Sequence, residues 1–153
     1  MKKLVVVVMM FVGGVCYGQS PNDTIIHREN IDLRYLEKLC MEVLNEYRLS
    51  KGVNILKVDS NLCKSSIKHS QWMEKNNKFQ HSHSGVGENI LELSISWGLT
   101  YKLMSEAIIQ SWIESPPHNA NMLDSGYKFM GLGVQLYHTK YKTRGFYVTL
   151  QLK

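Results

Sequence analysis

Four short clusters in this 153-residue chain carry side chains able to bind a cation or move a proton. They are "FQHSHSG" with His81 and His83, "GENI" with Glu88 and Asn89, "SEAIIQSW" with Glu106, and "SPPHNANML" with His118 and Asn121. Imidazole is the commonest protein ligand for a borderline cation such as zinc, and a carboxylate beside it adds a further ligand or a base. His81 and His83 are two residues apart, so on an extended segment they share a side, and either could be the ligand. Taken alone, His118 behind Pro116 and Pro117 reads as a polar partner for the start of a helical turn. Glu106 alone reads as a solvated helix position. The chain has no Gly-x-Ser-x-Gly elbow, His-Glu-x-x-His helix, phosphate loop or Cys-x-x-Cys pair. Neither Cys40 nor Cys63 falls in a loop beside a histidine, which argues against a cysteine nucleophile.

The elements that must position these residues follow from periodicity. Apolar residues recur at three- and four-residue spacing over 31–49, with Asn30 or Asp32 as N-cap and Gly52 beyond the end, which predicts an amphipathic helix. Asp59 or Ser60 caps a second helix running to about residue 75, with Leu62, Ser66, His69 and Met73 on one stripe. "GVGENILELS" reads as a strand, and "YKLMSEAIIQSWIE" returns to helical spacing until Pro116, which lacks the donor needed to continue. "HNANML" makes one short helical turn, and "FMGLGVQLYH" and "GFYVTLQL" alternate as two strands around "TKYKTR". Helices early and strands late, with no strand–helix–strand repeat, predict an α+β domain whose antiparallel sheet is covered by helices.

Residues 1–18 read as a secretory signal peptide: Lys2 and Lys3, an apolar run from Leu4 to Val12, then small residues with cleavage after Gly18. Lipid anchoring through Cys16 is the disfavoured rival, because Val15 precedes it where a small residue is usual. Residues 19–30 form a polar lead-in, and the domain spans 31–153. No later apolar stretch is long enough to span a bilayer, so a secreted or periplasmic protein is expected, as a monomer or weak dimer. The net charge of +5 includes Lys2 and Lys3, leaving 5 − 2 = 3 after removal of the leader. The lysines look scattered, the densest group (Lys140, Lys142 and Arg144) lies in the hairpin turn, and no nucleic-acid footprint is expected. Cys40 and Cys63 are a candidate disulfide in an exported chain. Cys40 also shares the stripe of Leu33, Leu36, Val43, Leu44 and Tyr47, where a buried thiol packs equally well, so the bond stays open.

In this order, "LNEYR", "NLCKSSIKHSQWM", "FQHS", "GENI", "EAIIQSW", "SPPHNANML", "GLGV" and "FYVTLQL" resemble the CAP superfamily of cysteine-rich secretory, antigen 5 and pathogenesis-related proteins, also called SCP domains. The resemblance covers about residues 33–153 and points to the compact bacterial type. It implies a three-layer α-β-α sandwich with a central antiparallel sheet, and a cleft lined by His81, Glu88, Glu106 and His118. His83, Asn89 and Asn121 stand beside that tetrad as secondary candidates. His81 and His118 are the implied ligands of zinc or another divalent cation, held weakly because two histidines leave its coordination open. The short loop from His81 to Glu88 and the absence of a dense disulfide framework depart from the eukaryotic branch. The preferred functional reading is a non-enzymatic extracellular module binding a lipid, glycan, peptide or metal. The alternative is a metal-assisted peptidase or esterase with Glu88 or Glu106 as base.

Overall fold

The computed structural model describes residues 21–25, 31–94, 98–138 and 144–153. The leader with Cys16, His27, Trp97, and residues 139–143 of the hairpin turn, Lys140 and Lys142 among them, lie outside the described residues.

Helix α1 (Leu33–Ser50) starts at Asp32, whose carboxylate accepts from the Arg34 and Tyr35 amides. Helix α2 (Ser60–Asn76) starts at Asp59 in the same way and ends at Asn77, which adopts the left-handed conformation that stops a helix. Strand β2 (Gly87–Ser94), helix α3 (Tyr101–Ile113), helix α4 (Pro116–Leu123) and strands β3 (Phe129–His138) and β4 (Arg144–Leu152) follow. The prolines do more than end α3. They occupy the first two positions of α4, where a missing N–H costs nothing, and the predicted single turn is a helix of eight residues.

A two-residue strand, β1 (Lys57–Val58), completes the sheet in the order β1-β3-β4-β2. The three long strands are antiparallel as predicted, whereas β1 runs parallel to β3, so the sheet is mixed. The cause is local: the chain leaving α1 passes beside β3 on its way to α2, with Lys57 and Asp59 donating to the carbonyls of Lys128 and Met130. The lead-in also has structure. Pro21–Asp23 forms a 3-10 turn, the Tyr35 hydroxyl bonds Asn22, and Ile25 bridges Thr100.

Helix α2 covers one face of the sheet and α1, α3 and α4 cover the other, giving the α-β-α sandwich. On the α2 face, alternate residues of β3 are glycine because the helix lies directly on the strand. A Cβ at Gly131 or Gly133 would come within 2.2 Å of the Cys63 or Ile67 backbone nitrogen. Ser66 and Ser70 exploit that approach, donating to the Gly131 and Gly133 carbonyls at 2.9 Å each. The other face holds the main core, including Leu36, Leu44, Ile108, Met122 and Phe146. The fully buried Trp112 belongs to it and donates Nε1–H to the Ile90 carbonyl at 3.3 Å.

Beyond β1, the outer edge of β3 is closed by side chains. Val134 N–H donates to Glu37 Oε1 at 2.7 Å. Arg34 binds the other Glu37 oxygen at 2.7 Å and donates to the Val134 carbonyl at 3.3 Å. The Arg34–Glu37 pair therefore stands in for the backbone of an absent neighbouring strand, which blunts an otherwise open edge. Cys40 and Cys63 are both free thiols in this structure, on helices in different layers. Burial pushes the thiols of both up.

Candidate functional site

The site is organised by the first three residues of β2. Gly87 leaves room for Tyr127: a Cβ there would lie 2.2 Å from the Tyr127 hydroxyl, and the ring would have to shift. Glu88 and Asn89 then point to opposite faces of the sheet, as successive strand residues must. Glu88 reaches the loop after α2, which carries His81, and Asn89 reaches α4, which carries His118. The strand edge thus ties down one histidine from each layer.

Glu88 Oε1 accepts from Ser82 N–H at 2.8 Å and pairs with His81 Nδ1 at 3.0 Å. Oε2 accepts from the Ser82 hydroxyl and from Gln151 Nε2 at 3.1 Å. Gln151 is the direct cross-strand partner of Glu88 in the β2–β4 register. Burial pushes the Glu88 carboxyl up, but these donors outweigh it and hold the group below its ordinary range. An ionised carboxylate only accepts, so His81 Nδ1 carries the proton in this pair. That assigns the free lone pair of a neutral His81 to Nε2.

The other half is a chain of hydrogen bonds. The Tyr127 hydroxyl donates to Asn121 Oδ1 at 3.1 Å, Asn121 Nδ2 to Asn89 Oδ1 at 2.8 Å, and Asn89 Nδ2 to the His118 carbonyl at 3.0 Å. His118 Nδ1 lies 2.9 Å from the hydroxyl of Ser115, three residues back at the N-cap of α4. Burial, and then the charge of His81, lower the His118 pKa, so the ring is held neutral near pH 7. Helix α4 is anchored from beneath by the fully buried Arg48 of α1, which donates to the Met122 and Asp124 carbonyls, and Tyr47 donates to Asn119 Oδ1 at 2.9 Å.

His81, Glu88, Asn89, Pro117, His118, Ala120, Asn121 and Asp124 line one open cleft of about 460 Å³. Three of the four tetrad residues therefore share a site. Glu106 lies elsewhere: it lines a separate hollow of about 230 Å³ with Asp23, Glu42, Glu46 and Lys102. The register of α3 explains this. Tyr101, Met104, Ser105, Ile108, Ile109 and Trp112 are its buried side, and Lys102, Glu106 and Gln110 form the exposed stripe at four-residue spacing. His83 is exposed at the loop tip. Asn89 and Asn121 act through the hydrogen-bond chain beneath His118. The sequence reading missed Ser82, Ser115, Gln151, Tyr127 and Asp124. Ser115 alone had a local signal, a hydroxyl three residues before a histidine at a helix start. Among the described residues no three His, Cys, Asp or Glu side chains converge as a metal-binding group, so a cation here would rest on two imidazoles with the remaining positions open to water or a ligand.

Comparisons with known proteins agree with this architecture. A curated relative, an uncharacterised membrane protein from Bacillus subtilis, is 25% identical over 119 residues, covering 72% of this chain and 34% of its own length. The chain thus spans about a third of that relative. An extracellular protein containing an SCP domain from Bacillus anthracis superposes with TM-score 0.57 at 22% identity, over 78% of this chain and 41% of that one. The crystal structure of NaASP2 with Zn2+ superposes with TM-score 0.58 at 15% identity, over 76% of this chain and 78% of that one. The model of the cysteine-rich secretory protein family matches residues 41–152, from within α1 to the end of β4, and the chain belongs to that family, CAP.

Proposed function

We propose that this chain is an exported, non-enzymatic binding module whose cleft takes a divalent cation through His81 and His118, zinc being the best chemical match. The observation that carries this reading is the way both rings are held. Each ties Nδ1 to a neighbouring side chain, Glu88 or Ser115, and neither Nε2 has a hydrogen-bond partner among the described residues. A ring fixed through one nitrogen with the other left free is the usual preparation of a metal-binding histidine. The zinc-containing NaASP2 shares the fold and supports the same reading. A bound cation would polarise a water or the oxygen of an incoming ligand at its open positions.

The hydrolase alternative finds little support in the carboxylates. Glu88 is saturated with donors and held ionised below its ordinary range, which makes it a weak base. Glu106 lines a different hollow. Binding and export are therefore the reading preferred here, the export resting on the leader and on the extracellular relative. No helix among the described residues is long and apolar enough to cross a membrane.

Calorimetry with zinc tests the proposal. Wild type should bind one ion with modest affinity, and Ser115→Ala should bind roughly tenfold or more weakly, the usual cost of losing a second contact on a metal histidine. His81→Ala with His118→Ala should abolish binding. Equal affinity in wild type and the double variant would refute the site, and turnover of peptide or ester substrates that His118→Ala abolishes would restore the hydrolase reading.

A further inference from the structure

The lysines that look scattered along the sequence gather on α2. Lys64, Lys68 and Lys75 occupy its outer side at spacings of four and seven, opposite the buried Leu62, Ser66, Ser70 and Met73. All three are exposed, none is in an ion pair among the described residues, and Glu74 is the helix's single acid. Trp72 falls on the same stripe, one turn beyond Lys68, and is 37% exposed although an indole normally seeks cover. Its ring is steadied by His69, stacked at 5.8 Å with planes 10° apart, and His69 is itself held by the Gln80 carbonyl at 2.9 Å. In the opposite layer, Asp23, Glu42, Glu46 and Glu106 line the α1–α3 hollow with Lys102, and Lys38 pairs with Glu42 at 3.6 Å.

We propose that the outer face of α2 docks the protein on an anionic lipid bilayer, the three lysines meeting headgroup charge and Trp72 sitting at the interface. The complementarity is specific to a flat surface. The stripe lies along one helix of 17 residues, about 25 Å long, so a planar surface can meet all three lysines at once. One face of the indole is already occupied by His69, which leaves an amphipathic edge of the kind that settles at headgroup level. Residues 78–80 lead from the end of α2 directly to His81, so docking in this way would hold the cleft next to the lipid surface.

Co-flotation of the full chain with vesicles is the test, comparing neutral phosphatidylcholine with vesicles containing about one-third phosphatidylserine at roughly 0.1 M and 0.5 M salt. Wild type should prefer the anionic vesicles and lose that preference at the higher salt. Each Lys→Gln change should lower the anionic excess about fivefold, and K64Q/K68Q/K75Q about 100-fold, with unchanged circular dichroism because all three sites are exposed. Trp72 emission, taken as the difference from W72F, should be quenched by brominated lipid. An anionic excess that the triple variant retains within twofold would overturn the proposal. Lysine-dependent binding to a DNA duplex without vesicle binding would reassign the face to a polynucleotide and defeat it. A lysine-dependent dimer without vesicle binding would assign it instead to the acidic hollow of a second copy.

Discussion

Glu37 and Glu88 are buried to the same extent, each with a side chain 6% exposed, yet their acidities move in opposite directions. Glu37 is raised by burial to about 7 against a single backbone N–H and the half-exposed Arg34. Glu88 is also pushed up by burial, but it meets that penalty with two hydroxyl or backbone donors from Ser82, one from Gln151 and one from His81, and it is lowered. The number of donors, more than formal charge pairing, decides which of these two buried carboxylates stays ionised. Glu37 closes a sheet edge and tolerates either protonation state. Glu88 orients a histidine and must remain an acceptor.

The sharpest way to break this comparison is one substitution made at both sites. Glu88→Gln turns an amide donor toward a set of donors, and should destabilise the protein by about 3 kcal/mol at pH 7 in urea unfolding. Glu37→Gln keeps an acceptor for Val134 N–H and removes a costly buried charge, so it should fall within about 1 kcal/mol of wild type at pH 8. Equal losses at the two sites would dissolve the distinction.

The pH dependence of stability is the next largest effect. Because the folded Glu37 binds its proton more tightly than the unfolded chain does, stability from this group is fully present below its ordinary 4.5 and is lost as pH rises through about 7. Between pH 5.5 and 8 the wild type should lose about 2 kcal/mol that Glu37→Gln does not lose. Glu88 has the opposite sign and a lower window. Its contribution is present above 4.5 and disappears as pH falls through its depressed folded value. Urea midpoints in buffers across this range separate the two slopes.

A smaller change sharpens the cleft side. Ser82→Ala removes one hydroxyl donor from Glu88 while leaving the backbone donor, so it should cost about 1 kcal/mol and raise the Glu88 carboxyl toward its ordinary range. Side-chain carbon shifts followed against pH would read the second effect directly.

Most of the fold was legible in the sequence because it rests on local rules. Asp32 and Asp59 mark helix starts by their own chemistry, Pro116 stops α3, and the alternation over 129–138 and 145–152 shows as two strands. Two-residue β1 was not legible, since nothing in Lys57–Val58 distinguishes a strand from a loop without β3 beside it. The site divides in the same way. His81, Glu88 and His118 stand out by type and by position at segment ends, whereas Gln151 joins them only through the β2–β4 register and Tyr127 only through a missing Cβ at Gly87. Glu106 shows the reverse failure. Its place in an ordered set of motifs suggested the cleft, but the phase of α3, fixed by Trp112 and Ile108, turns it toward Lys102 and the acidic hollow. The lysine stripe of α2 was hidden because residues four and seven apart look dispersed in sequence until helical phase is applied.

The central claim is that His81 and His118 offer Nε2 jointly to one cation, with Nδ1 held by Glu88 and Ser115. Ring-nitrogen NMR of the two histidines during a zinc titration at neutral pH tests it most directly. Both Nε2 resonances should shift together with one saturation point, and both Nδ1 should carry the proton in the zinc-bound state. Zinc bound through Nδ1, or a shift at His83 in place of His81, or at one histidine alone, would contradict it.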